Sequence, residues 1–329
     1  MNRQALDAPA TARSDAPPTA QISNARVTAE LYLPDPEVGF YRGTRFDWSG
    51  VISRLQCNGH EYYGAWFTDR QPSVRDFIFR GADIVAGAHS AITGPAEEFV
   101  VAQGYGAARP GETFVKIGVG VLRRAGAAEY SCYDDYELVD SGTWTTRQDA
   151  GSIAFTQEVA DPVSGYGYAY TKTVSMVNQR PELVIAHSLR NTGRHAISTP
   201  QYNHNFLTLD GTPTGPAFVI TLPFAARTTA ILEPFAAISG NRIAYRTELS
   251  GDDVLGFPVY GFGNSASDYD IRIENQHTGA GLRMTADRPL SHLAVWSIRT
   301  VLSVEPFVDL SIPPSATAGW SYQYGYHAA

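Results

Sequence analysis

Two residues of this 329-residue chain stand out as groups that could move a proton, and they are a hundred positions apart. His204 sits between two amides in Tyr202-Asn203-His204-Asn205-Phe206-Leu207. An imidazole among hydrogen-bonding amides can be held in one tautomer and presented to a ligand. Glu305 ends an apolar stretch in Ser303-Val304-Glu305-Pro306, downstream of Ala294-Val295-Trp296-Ser297-Ile298-Arg299. A carboxylate there is expected to be partly buried, which is costly without a partner or a purpose. Glu305 therefore either pairs with a cation such as Arg299 or serves as a base.

Other polar groups lie in aromatic surroundings. The segment Tyr41-Arg42-Gly43-Thr44-Arg45-Phe46-Asp47-Trp48 combines two guanidiniums, a carboxylate and an indole. That mixture suits stacking and charge-assisted bonding to a sugar, and it equally suits an ordinary Arg–Asp pair. Lys116 precedes Gly118 and Gly120, whose lack of side chains allows a close backbone approach, either a ligand floor or tight sheet packing. An anionic ligand would be expected at Arg42, Arg45 and Lys116. Glu97 and Glu98 follow Gly94-Pro95. The G-x-S-x-G, H-E-x-x-H, Walker and G-x-G-x-x-G signatures are missing, so no cofactor is called for and no metal ligand set is assigned. Cys57 and Cys132 lack C-x-x-C spacing, which leaves buried free thiols or one disulfide.

The elements that must position these groups read as strands. From Ile22 onward, short runs of Val, Ile, Thr, Tyr and Phe are punctuated by Gly, Pro, Asn and Asp, the pattern of an all-β protein built as one large antiparallel β-sandwich. Strands are expected over 26–33, 113–122, 152–159, 168–176, 183–189, 217–222, 243–249, 269–274, 292–298 and 322–327, with turns at Asn191-Thr192-Gly193, Asp210-Gly211 and Ser250-Gly251-Asp252. No amphipathic helix and no fixed-period repeat is visible, which argues against propellers and solenoids. Residues 1–21, rich in Ala, Pro, Asp and Ser, read as a disordered tail ahead of one domain over 22–329. That tail has no apolar core of a signal peptide, so the compartment is cytoplasmic as written, or periplasmic or secreted if a leader has been removed.

Composition narrows the partners. With 33 acidic against 25 basic residues, the net charge of −8 offers no general attraction for nucleic acid or acidic membranes, and no apolar run is long enough to span a bilayer. Aromatic residues make up 12% of the chain, and their rings suit the C–H faces of sugars as well as core packing.

The histidine after a strand in an N-H-x-F-type segment, followed by a late tryptophan strand and a Val-Glu-Pro turn, resembles the aldose 1-epimerase (galactose mutarotase-like) family. That family shows N-H-x-Y-F-N-L and W-x-P…C-x-E-P segments in the same order. Gly50-Val51-Ile52-Ser53-Arg54-Leu55 with Asn58-Gly59 resembles its opening hairpin, so the likeness runs from about Ile22 to Tyr326. The chain departs from the family in reading NHNFLTL without the Tyr-Phe pair. It also carries Gly94-Pro95-Ala96-Glu97-Glu98-Phe99 where a second histidine is usual.

The resemblance implies a galactose mutarotase-like supersandwich and a cofactor-free interconversion of sugar anomers, with His204 as general acid at the ring oxygen and Glu305 as general base at the anomeric hydroxyl. It also implies a monosaccharide or small carbohydrate as partner, neutral or anionic. Arg45, Asp47, Glu97, Glu98, Lys116, Tyr202, Asn203, Trp296 and Arg299 are the residues expected around it. Glu97 or Glu98 would replace the missing histidine as a hydroxyl-binding group, or belong to a solvated loop. A second reading keeps the fold with other chemistry: a carbohydrate-binding protein, or a sugar lyase or isomerase using Tyr202 and Lys116. A third makes His204 and Glu305 structural.

Overall fold

Alternating and continuous apolar runs become strands, and very little else forms. The computed structural model describes residues 16–328, whose only helical elements are two short 3-10 turns, Leu209–Gly211 and Ala266–Asp268. Ten antiparallel strands make the larger sheet, in the order Thr143–Gln148, Ser152–Ala160, Gly167–Met176, Glu182–Asn191, Thr317–Ala328, Ala280–Ala286, Asp270–Asn275, Phe218–Thr221, Arg242–Tyr245 and Ala236–Ser239. Five more form a second sheet, in the order Val254–Pro258, His292–Ile298, Val301–Ile312, Ile197–His204 and Ala96–Phe99. The all-β antiparallel architecture expected from the sequence is thus the architecture observed.

The two sheets close on a shared apolar core into which Tyr168, Tyr170, Trp320, Tyr322, Tyr324 and Tyr326 project. Buried phenols need partners, and the smaller sheet supplies those of Tyr322 and Tyr324. Tyr322 donates to Gln201 Oε1, Asn203 Nδ2 donates to the Tyr324 hydroxyl at 2.6 Å, and that hydroxyl donates to Asn205 Oδ1 at 3.0 Å. A second apolar cluster, including Phe46, Trp48, Trp66, Phe114 and Phe206, covers the opposite face of the five-stranded sheet. That sheet is consequently buried on both faces, and its strands lose the in–out alternation of a half-solvated strand. Ala96–Phe99 is buried at every position, as is the start of Val301–Ile312. Neither strand appears among those expected from alternation.

Most expected strands occur within a residue or two of their expected bounds, but 113–122 is a correction. It is a hairpin of Thr113–Lys116 and Gly120–Arg123, in which Lys116 pairs with Gly120. Gly118 turns the chain at φ 80°, and a Cβ there would lie 2.6 Å from Asp47 Cβ. The glycines serve close approach of protein to protein. At the N-terminus, residues 1–15 of the expected tail lie outside the described residues. Thr19–Ser23 is already a strand paired with Val27–Tyr32, so the ordered chain begins before Ile22. Cys57 is buried, Cys132 is partly buried, and both are free.

Replacing Gly118 by Ala should lower the urea midpoint. The left-handed backbone alone costs about 1–2 kcal/mol, and the contact with Asp47 adds to it.

Candidate functional site

The strand Ile197–His204 places its even-numbered side chains outward and its odd-numbered ones against the ten-stranded sheet. Tyr202 is paired with Phe307 at the end of the ladder to Val301–Ile312. Two residues further, the same register brings His204 level with Glu305, and Nε2 of the imidazole stands 3.1 Å from Oε1 of the carboxylate. A hundred residues of intervening chain are closed by one antiparallel register. Both side chains line a cavity of about 230 Å3, with Arg45, Trp66, Asp76 and Trp296 among its other walls.

The imidazole lies flat on Phe206, ring centroids 3.7 Å apart, and meets the edges of Trp296 and Phe46. Its Nδ1 is buried without a hydrogen-bond partner, which leaves Nε2 as the working nitrogen. Burial in this aromatic setting, reinforced by the Arg45 charge, holds the His204 pKa well below its ordinary value. The same burial pushes Glu305 up to about 7, against the lowering influence of Arg45 and with help from Glu98. Near neutral pH the pair is therefore an uncharged imidazole beside a carboxyl poised to gain or lose its proton, the condition for acid–base work.

Behind the cavity wall lies a charged network. Arg45 Nε donates to Glu98 Oε2 at 2.9 Å and its Nη2 to the Tyr202 hydroxyl at 2.9 Å, while that hydroxyl donates to Glu98 Oε2 at 2.7 Å. Lys116 Nζ reaches Glu98 Oε1 at 3.2 Å. Burial opposes ionisation of Glu98, but Lys116 and Arg45 outweigh it and hold its pKa below the usual range. The guanidinium, capped by the Phe46 and Tyr133 rings, is locked by these contacts, and its Nη1 has no partner among the described residues. A rigid cation at a cavity wall with a spare donor can bind an oxygen of a ligand.

Glu97, one residue earlier, points to the opposite face. Its Oε2 lies 3.3 Å from Lys172 Nζ and 2.8 Å from His187 Nε2, and Lys172 also lies 2.8 Å from Asp47 Oδ2. Burial would raise the Glu97 pKa, yet His187 and Lys172 bring it down to about 2. Tyr170 donates to Asp47 at 3.0 Å, and His187 stacks on Trp320. The whole cluster is shut inside the sandwich.

Of the residues singled out in the sequence, the fold gathers His204, Glu305, Arg45 and Trp296 on one cavity. Glu98, Lys116 and Tyr202 sit one layer back and act on it through Arg45. Asp47, Glu97 and Asn203 face the inter-sheet core. Arg299 is elsewhere: its guanidinium stacks over Phe79 and donates to the carbonyls of Gly251, Ala82 and Asp83, so Glu305 does not pair with it. Arg42 is exposed and lines a different cavity. Sequence reading missed Trp66, Asp76 and Ser90 of the cavity, and Lys172 and His187 of the inner cluster. Phe206 was accessible, being two residues from His204 and hence on its face. The others carry no local signal. Among the described residues, no group of three or more His, Cys, Asp or Glu side chains is placed to hold a metal ion, and no helix is long and apolar enough to cross a membrane.

Two stability outcomes follow from these charges. Lys172→Met leaves Asp47 and Glu97 without their buried cation and should cost about 3–5 kcal/mol in urea unfolding. A Glu305 whose folded pKa is raised destabilises the fold as pH climbs from its ordinary value through about 7. Glu305→Gln should accordingly stabilise the protein by up to about 3 kcal/mol at about pH 8 and have little effect near pH 4.

No protein-family model and no curated protein sequence matches the chain. Solved structures do match in fold. A putative aldose 1-epimerase from Escherichia coli K12 superposes with a TM-score of 0.54 at 12% identity, covering 95% of this chain and 99% of that one. The GalM/aldose epimerase homologue from C. elegans gives 0.54 at 14% identity over 95% of this chain and 100% of its own. A galactose mutarotase related enzyme from Lactobacillus acidophilus gives 0.52 at 12% identity, covering 94% and 97%. Likeness along nearly the full length of each, at so low an identity, is likeness of architecture: the chain has the galactose mutarotase-like fold.

Proposed function

We propose that the chain is an aldose 1-epimerase-like isomerase that interconverts the anomers of a monosaccharide by acid–base catalysis. The observation that carries this reading is the approach of His204 Nε2 to within 3.1 Å of Glu305 Oε1 on a cavity walled by Trp66 and Trp296. The cavity, of about 230 Å3, is of a size to take a small ligand. Aromatic walls suit the ring's C–H face, and Arg45 and Asp76 offer a donor and an acceptor to its hydroxyls.

In turnover, Glu305 takes the proton of the anomeric hydroxyl while His204 gives one to the ring oxygen. The C1–O5 bond breaks as the C1 carbonyl forms, the C1–C2 bond rotates, and reversal of both transfers closes the other anomer. Near neutrality the pair holds one titrating proton, and burial of both groups favours it on Glu305. It must cross to His204 before the step as written. The opposite assignment, with His204 accepting and Glu305 donating, uses the same proton count. Elimination through Tyr202 or Lys116 receives less support, because neither lines the cavity and both are committed to Glu98.

Anomer interconversion followed by proton NMR tests the proposal. His204→Ala and Glu305→Gln should each stay folded and lose about 10²–10⁴-fold in rate, and full activity in either removes its role. The catalytic proton is lost as pH rises through about 7, so kcat/KM should be level below neutrality and fall about tenfold per pH unit above it. An alkaline limb that survives Glu305→Gln unchanged would contradict the assignment.

A further inference from the structure

The segment of Arg42 and Arg45 serves two cavities. Residues 41–45 and 88–91 contribute Arg45 and Ser90 to the cavity of His204 and Glu305, and Tyr41, Arg42, Gly43, Ala88 and Ala91 to a larger one, of about 410 Å3, on their other side. The second cavity is lined by Phe40, Trp48, Leu138 and Gln71 together with two guanidiniums, Arg42 and Arg70, and, among the described residues, by no acidic side chain.

Both cations are held in place with donors to spare. Arg70 Nη1 donates to the Phe40 carbonyl at 2.7 Å, and its guanidinium lies 3.7 Å from the centroid of the Phe40 ring and 5.3 Å from that of Phe67. The Phe40 ring is itself fixed by stacking on Tyr32 at 3.8 Å. Arg42 Nη1 donates to the Glu37 carbonyl at 2.6 Å. The Nε and Nη2 of each arginine have no hydrogen-bond partner among the described residues. The charges feel each other: burial is the main cause of a lowered Arg70 pKa, and Arg42 lowers it further while Tyr32 opposes. Two like charges facing one concavity, each anchored through a single nitrogen, form a fork that an oxyanion would relieve. An aromatic floor of Phe40 and Trp48 accommodates the carbon skeleton carrying it.

We propose that this second cavity binds a small polyol-like molecule carrying an oxyanion, a carboxylate or a phosphate monoester, gripped by Arg42 and Arg70 and separate from the cavity of His204 and Glu305. The inference does not rest on the epimerase reading, since neither arginine touches that pair. Because the two cavities share the 41–45 and 88–91 segments, an occupant of the second can be felt by the first.

Glycerol 3-phosphate and glycerate, matched in size, test it by titration of the full chain at low salt, read by calorimetry and by the indole N–H signal of Trp48. At least one should bind with a Kd of about 1 mM, weakening as salt is added, and the tighter of the two identifies the oxyanion. Arg70→Gln and Arg42→Gln should each weaken it by about tenfold or more, the loss expected for one charge-assisted contact, while Arg70→Lys should weaken it less. His204→Ala should bind both ligands as the unmodified chain does. Arg42 is exposed, so Arg42→Gln keeps the fold and carries the test if Arg70→Gln does not fold. No binding of either ligand up to about 20 mM overturns the proposal. Binding untouched by Arg42→Gln, or abolished by His204→Ala, overturns it as well.

Discussion

Two adjacent carboxylates buried on opposite faces of one short strand set the terms for everything around them. Glu97 and Glu98 lie in Ala96–Phe99, the edge strand of the five-stranded sheet, at 1% and 3% exposure. Burying an ionised carboxylate is prohibitive unless a cation comes with it. The chain has two lysines, and each is spent on one of these glutamates: Lys172 on Glu97 within the sandwich, Lys116 on Glu98 beneath the cavity. The segment from Arg45 to Ser49 threads between, giving Arg45 to Glu98 and Asp47 to Lys172. The N-terminal segments, the small sheet and the large sheet are thereby tied to one strand by charge, and a slip of one residue would exchange the two faces.

The cavity inherits its character from that arrangement. Glu98, held ionised, fixes Arg45 from behind, directly at its Nε and through the Tyr202 hydroxyl at its Nη2, so the guanidinium is presented without freedom to swing toward Glu305. Glu305, denied a close cation and surrounded by aromatic side chains, keeps its proton up to about pH 7. One network thus holds Glu98 charged while Glu305, from a distant part of the chain, keeps its proton up to about neutral pH, a division of environment that separates structural from reactive acids. The fold alone does not confer chemistry, and the solved structures of like architecture described above are only 12–14% identical to this chain. The burden of function rests on the site.

How much of this was legible beforehand depended on which faces of a strand see water. Ser152–Ala160, Gly167–Met176 and Glu182–Asn191 alternate buried with less buried positions, so period-two reading finds them. Ala96–Phe99 and the first half of Val301–Ile312 are covered on both sides and show no period. The run 113–122 reads as continuous because alternation survives across a hairpin whose three-residue turn, 117–119, is centred on Gly118 at positive φ. Glu97 and Glu98 were visible as a pair, but nothing local says that they face apart toward different lysines.

From its residues alone the chain specified an antiparallel β protein, and two proton-transfer candidates, His204 and Glu305, in a recognisable order. Those are properties of side-chain period and residue type, which short stretches encode. Only the tertiary structure decided that Arg45 and Trp296 join that pair while Arg299 and Asn203 do not, and that Trp66 and Asp76 complete the wall. Such choices turn on strand register and on which sheet face meets which partner, and they are set by contacts between segments far apart in the chain.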